Sequence, residues 1–169
     1  GRLAPHRLPR AKPIARGQRP CHQSCMNQML TSLDGTPASR LAFGTMQFGG
    51  RADAAASRAM FDACIEAGIT HFDTAHVYTD GASETLLGQF VQDRRDSLIV
   101  ATKAAYIGGA GRANILASAE TSRQRMQLDT LDVLYLHRFD PDTPLTESFA
   151  ALAELKDLGH IRQVGLSNF

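Results

Sequence analysis

From residue 39 onward, short runs of β-type residues alternate with helical patterns, and this alternation limits the possible fold more than any other feature of the chain. Strands are predicted over residues 40–47, 69–74, 97–103, 131–137 and 161–166, with a helical pattern after each of the first four. A strand-first repeat of this kind is typical of a parallel sheet covered by helices. The sequence therefore predicts an α/β fold with about five βα units.

The helices are expected to begin at residues whose side chains accept hydrogen bonds from otherwise unpaired backbone amides. The predicted N-caps are Asp53, Asn114 and Thr143, the last with Pro144 as the first helical residue, and another helix is predicted to start near Ser83. The apolar side chains expected on the buried faces of these helices include Met60, Phe61, Leu86, Phe90, Leu145, Phe149, Leu152 and Leu155.

Polar residues stand where three of the predicted strands end. Asp73, Lys103 and His137 occupy equivalent places at the carboxyl ends of the second, third and fourth strands. Periodicity alone leaves two architectures open, an open doubly wound sheet and an incomplete (β/α)8 barrel. In a barrel these strand ends face one shared mouth, so the three ionisable groups would meet there, and this favours the barrel.

The residue types at this mouth fit proton transfer to a carbonyl oxygen. A tyrosine, Tyr78, follows Asp73 by five positions. A phenol is a weak acid at neutral pH, but the ammonium of Lys103 would stabilise its anion, and Asp73 would hold that ammonium in place. His137 could donate a hydrogen bond to the substrate oxygen. No side chain supplies hydride, so a nicotinamide cofactor would be required. A Schiff-base lyase that uses Lys103 stays open as an alternative.

Several motifs resemble the aldo/keto reductase family. GITHFDTA at residues 68–75 with Tyr78, GASETLLG at residues 81–88 and VATK at residues 100–103 are similar to the family's sequence, and DTLDVLYLH at residues 129–137 and GHIRQVGLSNF at residues 159–169 follow in the family's order. The resemblance implies a (β/α)8 TIM barrel and an NAD(P)H-dependent oxidoreductase that reduces aldehydes or ketones to alcohols. It also implies that Asp73, Tyr78, Lys103 and His137 form the catalytic tetrad, with Tyr78 as the proton donor.

The same resemblance implies which residues contact the cofactor, NADPH or NADH. Ser167 and Asn168 match the pair that holds the nicotinamide carboxamide, and Gly44, Thr45 and Met46 match a loop that lies along the cofactor. Asp73 is expected to contribute to both groups of residues. No metal site is predicted, because no histidines, cysteines or carboxylates stand at a convincing ligand spacing.

The length of the chain falls short of such a barrel. About 250 residues are usual for eight βα units, whereas the predicted barrel region here covers residues 39–169. The family binds the cofactor phosphates after strands seven and eight, so we expect this chain to represent a fragment that is weak or inactive alone. A non-catalytic half barrel is the third hypothesis, beside the carbonyl reductase and the Schiff-base lyase. The unpaired edges of the first and fifth strands would favour self-association.

Residues 1–38 are predicted to form a disordered basic, Pro-rich tail and lead-in. The first 25 residues contain six basic residues, four prolines and no acidic residue. Translated upstream sequence, with Met26 as the natural start, is favoured over a transit peptide because regularly spaced prolines break an amphipathic helix.

Charge, hydropathy and cysteine content limit the remaining classes of function. Downstream of residue 25 the chain has 12 basic and 17 acidic residues, a balance of −5 that does not favour nucleic acid. No run of about 18 apolar residues suggests a membrane span. Cys21, Cys25 and Cys64 make an odd set, which points to the reducing cytoplasm. A small carbonyl compound is the expected partner.

Overall fold

The computed structural model describes residues 30–169, so the basic segment before them lies outside the described residues. The strands are β1 (Ala42–Gly44), β2 (His71–Asp73), β3 (Ile99–Ala104), β4 (Leu131–Leu136) and β5 (Ile161–Leu166). The helices are α1 (Ala54–Glu66), α2 (Ala82–Val91), α3 (Arg112–Met126) and α4 (Leu145–Asp157), and two short 3₁₀ turns cover Tyr78–Gly81 and Gln92–Ser97. In this part of the chain no helix combines the length and the apolar character that crossing a membrane requires.

The five strands form one parallel sheet in the order β1-β2-β3-β4-β5. Each strand therefore pairs with the next strand along the chain, and no connection skips a neighbour. A doubly wound sheet reverses its strand order at a switch point, whereas a (β/α)8 barrel adds its strands consecutively. The predicted fold class is thus confirmed as a partial barrel.

The main core lies between the sheet and the helices. It unites outward-facing strand residues with the inner faces of all four helices, including Phe61, Phe72, Leu87, Ile115, Leu134 and Leu152. A smaller cluster of Ile99, Ala101 and Val133 lies on the opposite face of the sheet, and Leu30 packs against it. All six residues of β3 are buried, as expected for a strand that is covered on both faces.

Residues 30–38 differ from the predicted disordered lead-in. Thr31 is bridged to Pro37 in a short antiparallel turn, and Ser32 is buried. The guanidinium of Arg162 on β5 donates to the carbonyl oxygen of Thr31 at 2.7 Å. The segment is therefore ordered by contacts with the sheet that its own composition does not reveal.

Two of the predicted helix caps are wrong. The α3 helix begins at Arg112, so Asn114 lies inside its first turn, where its side-chain amide donates to the carbonyl oxygens of Ile107 at 2.8 Å and Gly109 at 2.6 Å. The hydroxyl of Thr143 donates to Asp140 at 2.7 Å instead of capping α4, whose N-cap is Pro144. Asn114 and Thr143 thus hold the loops that precede the two helices. Asp53 caps α1 as predicted, accepting from the amide of Ala56.

Some of the predicted buried positions are exposed. Leu145 and Phe149 on α4 are 41% and 40% exposed, and Met60 on α1 is 37% exposed, although Leu152 and Leu155 are buried as predicted. No described residue covers that side of α4. β1 is also shorter than predicted, because pairing with the three-residue β2 limits it to Ala42–Gly44.

Candidate active site

The structure brings Asp73, Tyr78, Lys103 and His137 together at the carboxyl edge of the sheet. Asp73 ends β2, Lys103 is the second-last residue of β3 and His137 directly follows β4. The backbone amide of His137 donates to the carbonyl oxygen of Ala104 at 2.9 Å, which aligns the ends of β3 and β4. Tyr78 starts the 3₁₀ turn that follows β2, and its phenol returns to the same edge.

The ammonium of Lys103 is the centre of this group. Its Nζ donates to Oδ1 of Asp73 in a short ion-paired hydrogen bond, to the carbonyl oxygen of Thr74 at 2.8 Å and to the phenol oxygen of Tyr78 at 3.3 Å. The residue is 8% exposed, and a buried ammonium is costly unless its N–H groups are satisfied. Here all three N–H groups have acceptors, so the charge is held between a carboxylate and a phenol.

The imidazole of His137 lies beside the phenol. The ring centroids of His137 and Tyr78 are 5.9 Å apart in an edge-to-face arrangement. Burial lowers the pKa of His137, and the neighbouring positive charge of Lys103 lowers it further, so the neutral imidazole is favoured at neutral pH. Its Nδ1 is buried and has no hydrogen-bond partner among residues 30–169.

The loop that carries Tyr78 has an unusual backbone. Thr79, Asp80 and Gly81 follow it with φ values of 48°, 53° and 91°, and the first two are not glycines. A left-handed conformation costs a non-glycine residue about 1–2 kcal/mol. The hydroxyl of Thr79 donates to the carbonyl oxygen of Phe48 at 2.7 Å, which helps to hold this conformation.

A buried network of hydroxyl groups joins the ends of β1 and β2 to the start of α2. Ser83 Oγ donates to the carbonyl oxygen of Thr45 at 2.7 Å and lies 2.8 Å from Thr74 Oγ1. Thr45 Oγ1 lies 2.9 Å from Ser83 Oγ and donates to the carbonyl oxygen of Asp73 at 3.2 Å. The side chain of Thr45 is therefore occupied inside the protein and does not face the mouth of the site.

The other residues implied as cofactor contacts surround the same edge. Met46 is 52% exposed, and a Cβ added to Gly44 would meet no atom within 4 Å. The backbone amide of Ser167 donates to the carbonyl oxygen of Leu136 at 3.0 Å, and the side-chain amide of Asn168 donates to the carbonyl oxygen of His137 at 2.9 Å. Gly44 and Met46 are therefore exposed at this edge, whereas the backbone amide of Ser167 and the side-chain amide of Asn168 are used in bonds to β4 and His137.

Two residues at the mouth were missed by the sequence analysis. The ring of Tyr106, from the loop after β3, lies 4.7 Å from the ring of His137, and the guanidinium carbon of Arg138 lies 4.8 Å from the Tyr106 centroid. Each is the second residue after the end of its strand, so the barrel rule that placed His137 at the mouth could also have identified them. Within residues 30–169, no three histidine, cysteine or acidic residues are grouped as metal ligands would be.

The sequence profile described as "Aldo/keto reductase family" matches residues 40–169. The chain is 36% identical over 148 residues to the aldo-keto reductase YhdN of Bacillus subtilis, covering 80% of this chain and 45% of that protein. It is 38% identical over 140 residues to human aflatoxin B1 aldehyde reductase member 2, covering 79% of this chain and 39% of that protein.

A solved structure gives the same result. The holo form of the aldo-keto reductase AKR11C1 from Bacillus halodurans superposes with a TM-score of 0.74 at 33% identity, covering 85% of this chain and 50% of that one. The chain thus spans half or less of the length of these relatives. Because the profile covers most of the chain and the fold agrees, this protein belongs to the aldo/keto reductase family.

Proposed function

We propose that the protein to which these residues belong reduces aldehyde or ketone carbonyls to alcohols with NADPH or NADH. The observation that carries the proposal is the position of the Lys103 ammonium, which touches both the Asp73 carboxylate and the Tyr78 phenol oxygen. Carbonyl reduction needs one proton on oxygen and one hydride on carbon. The four residues can provide the proton, and relatives of the chain are named as an aldo-keto reductase and an aldehyde reductase.

Tyr78 gives its phenolic proton to the carbonyl oxygen as negative charge develops there. The ammonium of Lys103 stabilises the phenolate that remains, since its Nζ is 3.3 Å from that oxygen. Asp73 keeps the ammonium in place and offsets its charge through their ion-paired hydrogen bond. His137, favoured as the neutral imidazole, donates through Nε2 to the same carbonyl oxygen and fixes its direction, because its Nδ1 is buried inside the protein.

The residues at the mouth fit the nicotinamide end of the cofactor. Because the side-chain amide nitrogen of Asn168 already donates to the His137 carbonyl, its Oδ1 remains free to accept from a carboxamide, and the hydroxyl of Ser167 lies beside it. The open space at Gly44 would let a ring approach the backbone. When bound, the nicotinamide would supply the hydride that no side chain can supply.

An aldehyde is the substrate class that we propose first. One relative is named aflatoxin B1 aldehyde reductase, and another, 36% identical over 125 residues, is named L-glyceraldehyde 3-phosphate reductase in Escherichia coli strain K12. The aromatic ring of Tyr106 beside His137 would suit a flat substrate such as an aromatic aldehyde.

The geometry argues against the Schiff-base alternative. An amine attacks a carbonyl with its lone pair, so the nucleophilic lysine must be neutral and unhindered. Lys103 Nζ instead donates to three acceptors, one of them a carboxylate. Borohydride treatment in the presence of an aldehyde should therefore leave Lys103 unmodified, and a reduced adduct on this residue would support the lyase.

The test of the main proposal is the Tyr78→Phe variant, made in the full reading frame that contains these residues. We expect it to lose roughly 10²-fold or more in kcat for NADPH-dependent reduction of an aromatic aldehyde, as is usual when a general acid is removed. Tyr135→Phe is the matched control, because it removes a phenol oxygen from the same sheet face. Full activity of Tyr78→Phe would show that the proton comes from elsewhere.

A further inference from the structure

A fully buried carboxylate lies behind the loop that carries Tyr78. Glu84, in the first turn of α2, is 0% exposed and has no part in the chemistry proposed above. Its Oε1 accepts from the hydroxyl of Thr102 at 2.6 Å, and its Oε2 accepts from Nη1 of Arg125 at 3.1 Å. A buried charge of this kind is retained only when it is paired, and its partners come from two other elements, β3 and α3.

Both partners of Glu84 lead directly to the proposed catalytic pair. Thr102 precedes Lys103 on β3. Arg125 Nη1 also donates to the carbonyl oxygen of His76 at 2.8 Å, two residues before Tyr78. The backbone amide of His76 donates to the carbonyl oxygen of Lys103 at 3.1 Å, so one peptide segment is tied to the lysine strand and to the arginine.

The guanidinium of Arg125 also supports the loop after Tyr78. A Cβ added to Gly81 would lie 2.5 Å from the guanidinium carbon, so the loop backbone rests on this side chain. Thr79 and Asp80, between Tyr78 and Gly81, are in the left-handed region and would relax if their surroundings allowed it. Arg125 therefore touches the loop on both sides of Tyr78, while Glu84 joins that arginine to the strand of Lys103.

We propose that the ion pair between the buried Glu84 and the partly exposed Arg125, with Thr102, is a positioning unit that sets the separation between the Lys103 Nζ and the Tyr78 phenol oxygen. This inference rests on the proposed carbonyl reduction and adds residues that never touch the substrate. A shift of about 1 Å between catalytic groups can cost about 10²-fold in rate. The pair therefore acts on the chemical step, whereas substrate and cofactor affinity depend on other residues.

The experiment must separate positioning from stability. Arg125→Met alone leaves the Glu84 carboxylate buried without its cation, which destabilises the fold. The double variant Glu84→Leu with Arg125→Met removes both charges, and replacing a buried pair by apolar residues of similar size is often neutral for stability. We expect the double variant to unfold near the wild-type urea midpoint while its kcat stays about 10- to 100-fold low and KM for aldehyde and NADPH changes little.

The matched control is Arg123→Met on the same helix, which breaks the surface ion pair of Arg123 with Glu120 and should leave kcat unchanged. If the double variant does not fold, Thr102→Val tests the same unit, since it removes only the hydroxyl that donates to Glu84. That variant should lower kcat several-fold. A double variant with both wild-type stability and wild-type kcat would overturn the proposal. So would a Thr102→Val variant with wild-type kcat.

A measurement without turnover separates this inference from the proposed function. Amide hydrogen exchange over residues 76–81 should be faster in the double variant than in wild type, because the Arg125 contact with His76 is lost. Unchanged exchange would refute the positioning role. A wild-type protein that reduces no carbonyl, but whose exchange over residues 76–81 still depends on Arg125, would refute only the proposed function.

Discussion

The substitution Asp132→Asn should reveal how strongly a buried carboxylate stabilises this sheet. Asp132 lies on β4 and is 0% exposed. Its Oδ1 accepts from Arg162 at 2.7 Å. Its Oδ2 forms an ion pair with Arg95 at 2.7 Å and accepts from the Val100 amide at 2.9 Å. Hydrogen bonds to charged groups contribute about 1.5–3 kcal/mol each, and breaking a buried pair costs about 3–5 kcal/mol. Because the Arg162 side chain is 30% exposed, its share is reduced by solvent, and we expect a loss of about 3 kcal/mol.

The assay is urea unfolding of this chain followed by circular dichroism. A loss of about 3 kcal/mol at an unchanged slope would also lower the melting temperature by roughly 10 °C in a domain of this size. Asp62→Asn is the control, because its ion pair with Arg58 is about half exposed on both sides and should contribute less than about 0.5 kcal/mol. A loss below about 1 kcal/mol for Asp132→Asn would mean that burial of this carboxylate does not determine how strongly its ion pairs stabilise the fold.

Two further predictions concern packing and pH. Gly88→Ala should lower the unfolding free energy by about 1–3 kcal/mol. The new Cβ would lie 2.5 Å from the Met126 carbonyl oxygen and would force α2 away from α3. An unchanged urea midpoint would contradict this prediction. Burial lowers the pKa of His71, His76 and His137 below the usual 6.5, so protonation favours the unfolded chain. The unfolding free energy should therefore fall as the pH drops below about 6.5, and equal urea midpoints at about pH 7.5 and about pH 5.5 would refute this reasoning.

The sequence predicted the parallel sheet and the meeting of four polar groups because both depend on local order. Strand-first repeats favour parallel pairing, and the carboxyl ends of parallel strands share one edge, so Asp73, Lys103 and His137 were expected to meet there once the barrel was favoured over the open sheet. The bounds of β5 were also predicted correctly, at Ile161–Leu166.

Features that depend on distant partners were not predictable. The ion pair of Glu84 with Arg125 joins residues 41 positions apart, and no local pattern marks Glu84 as buried. Helical periodicity placed Leu145 and Phe149 on an apolar face, but it cannot show whether another element covers that face. Asn114 failed as a predicted cap because α3 begins at Arg112, and its side-chain amide donates to carbonyl oxygens of the preceding loop instead of accepting from a helix amide.

The consecutive strand order has a consequence for synthesis on the ribosome. Because each strand pairs with the one before it, every contact within the sheet can form as soon as the next βα unit emerges from the exit tunnel. Each pairing closes only the one helical connection between neighbouring strands, which limits the entropy of chain closure at each addition. A nascent chain of this protein can therefore grow its sheet one unit at a time, without waiting for a distant segment to insert between strands that are already paired.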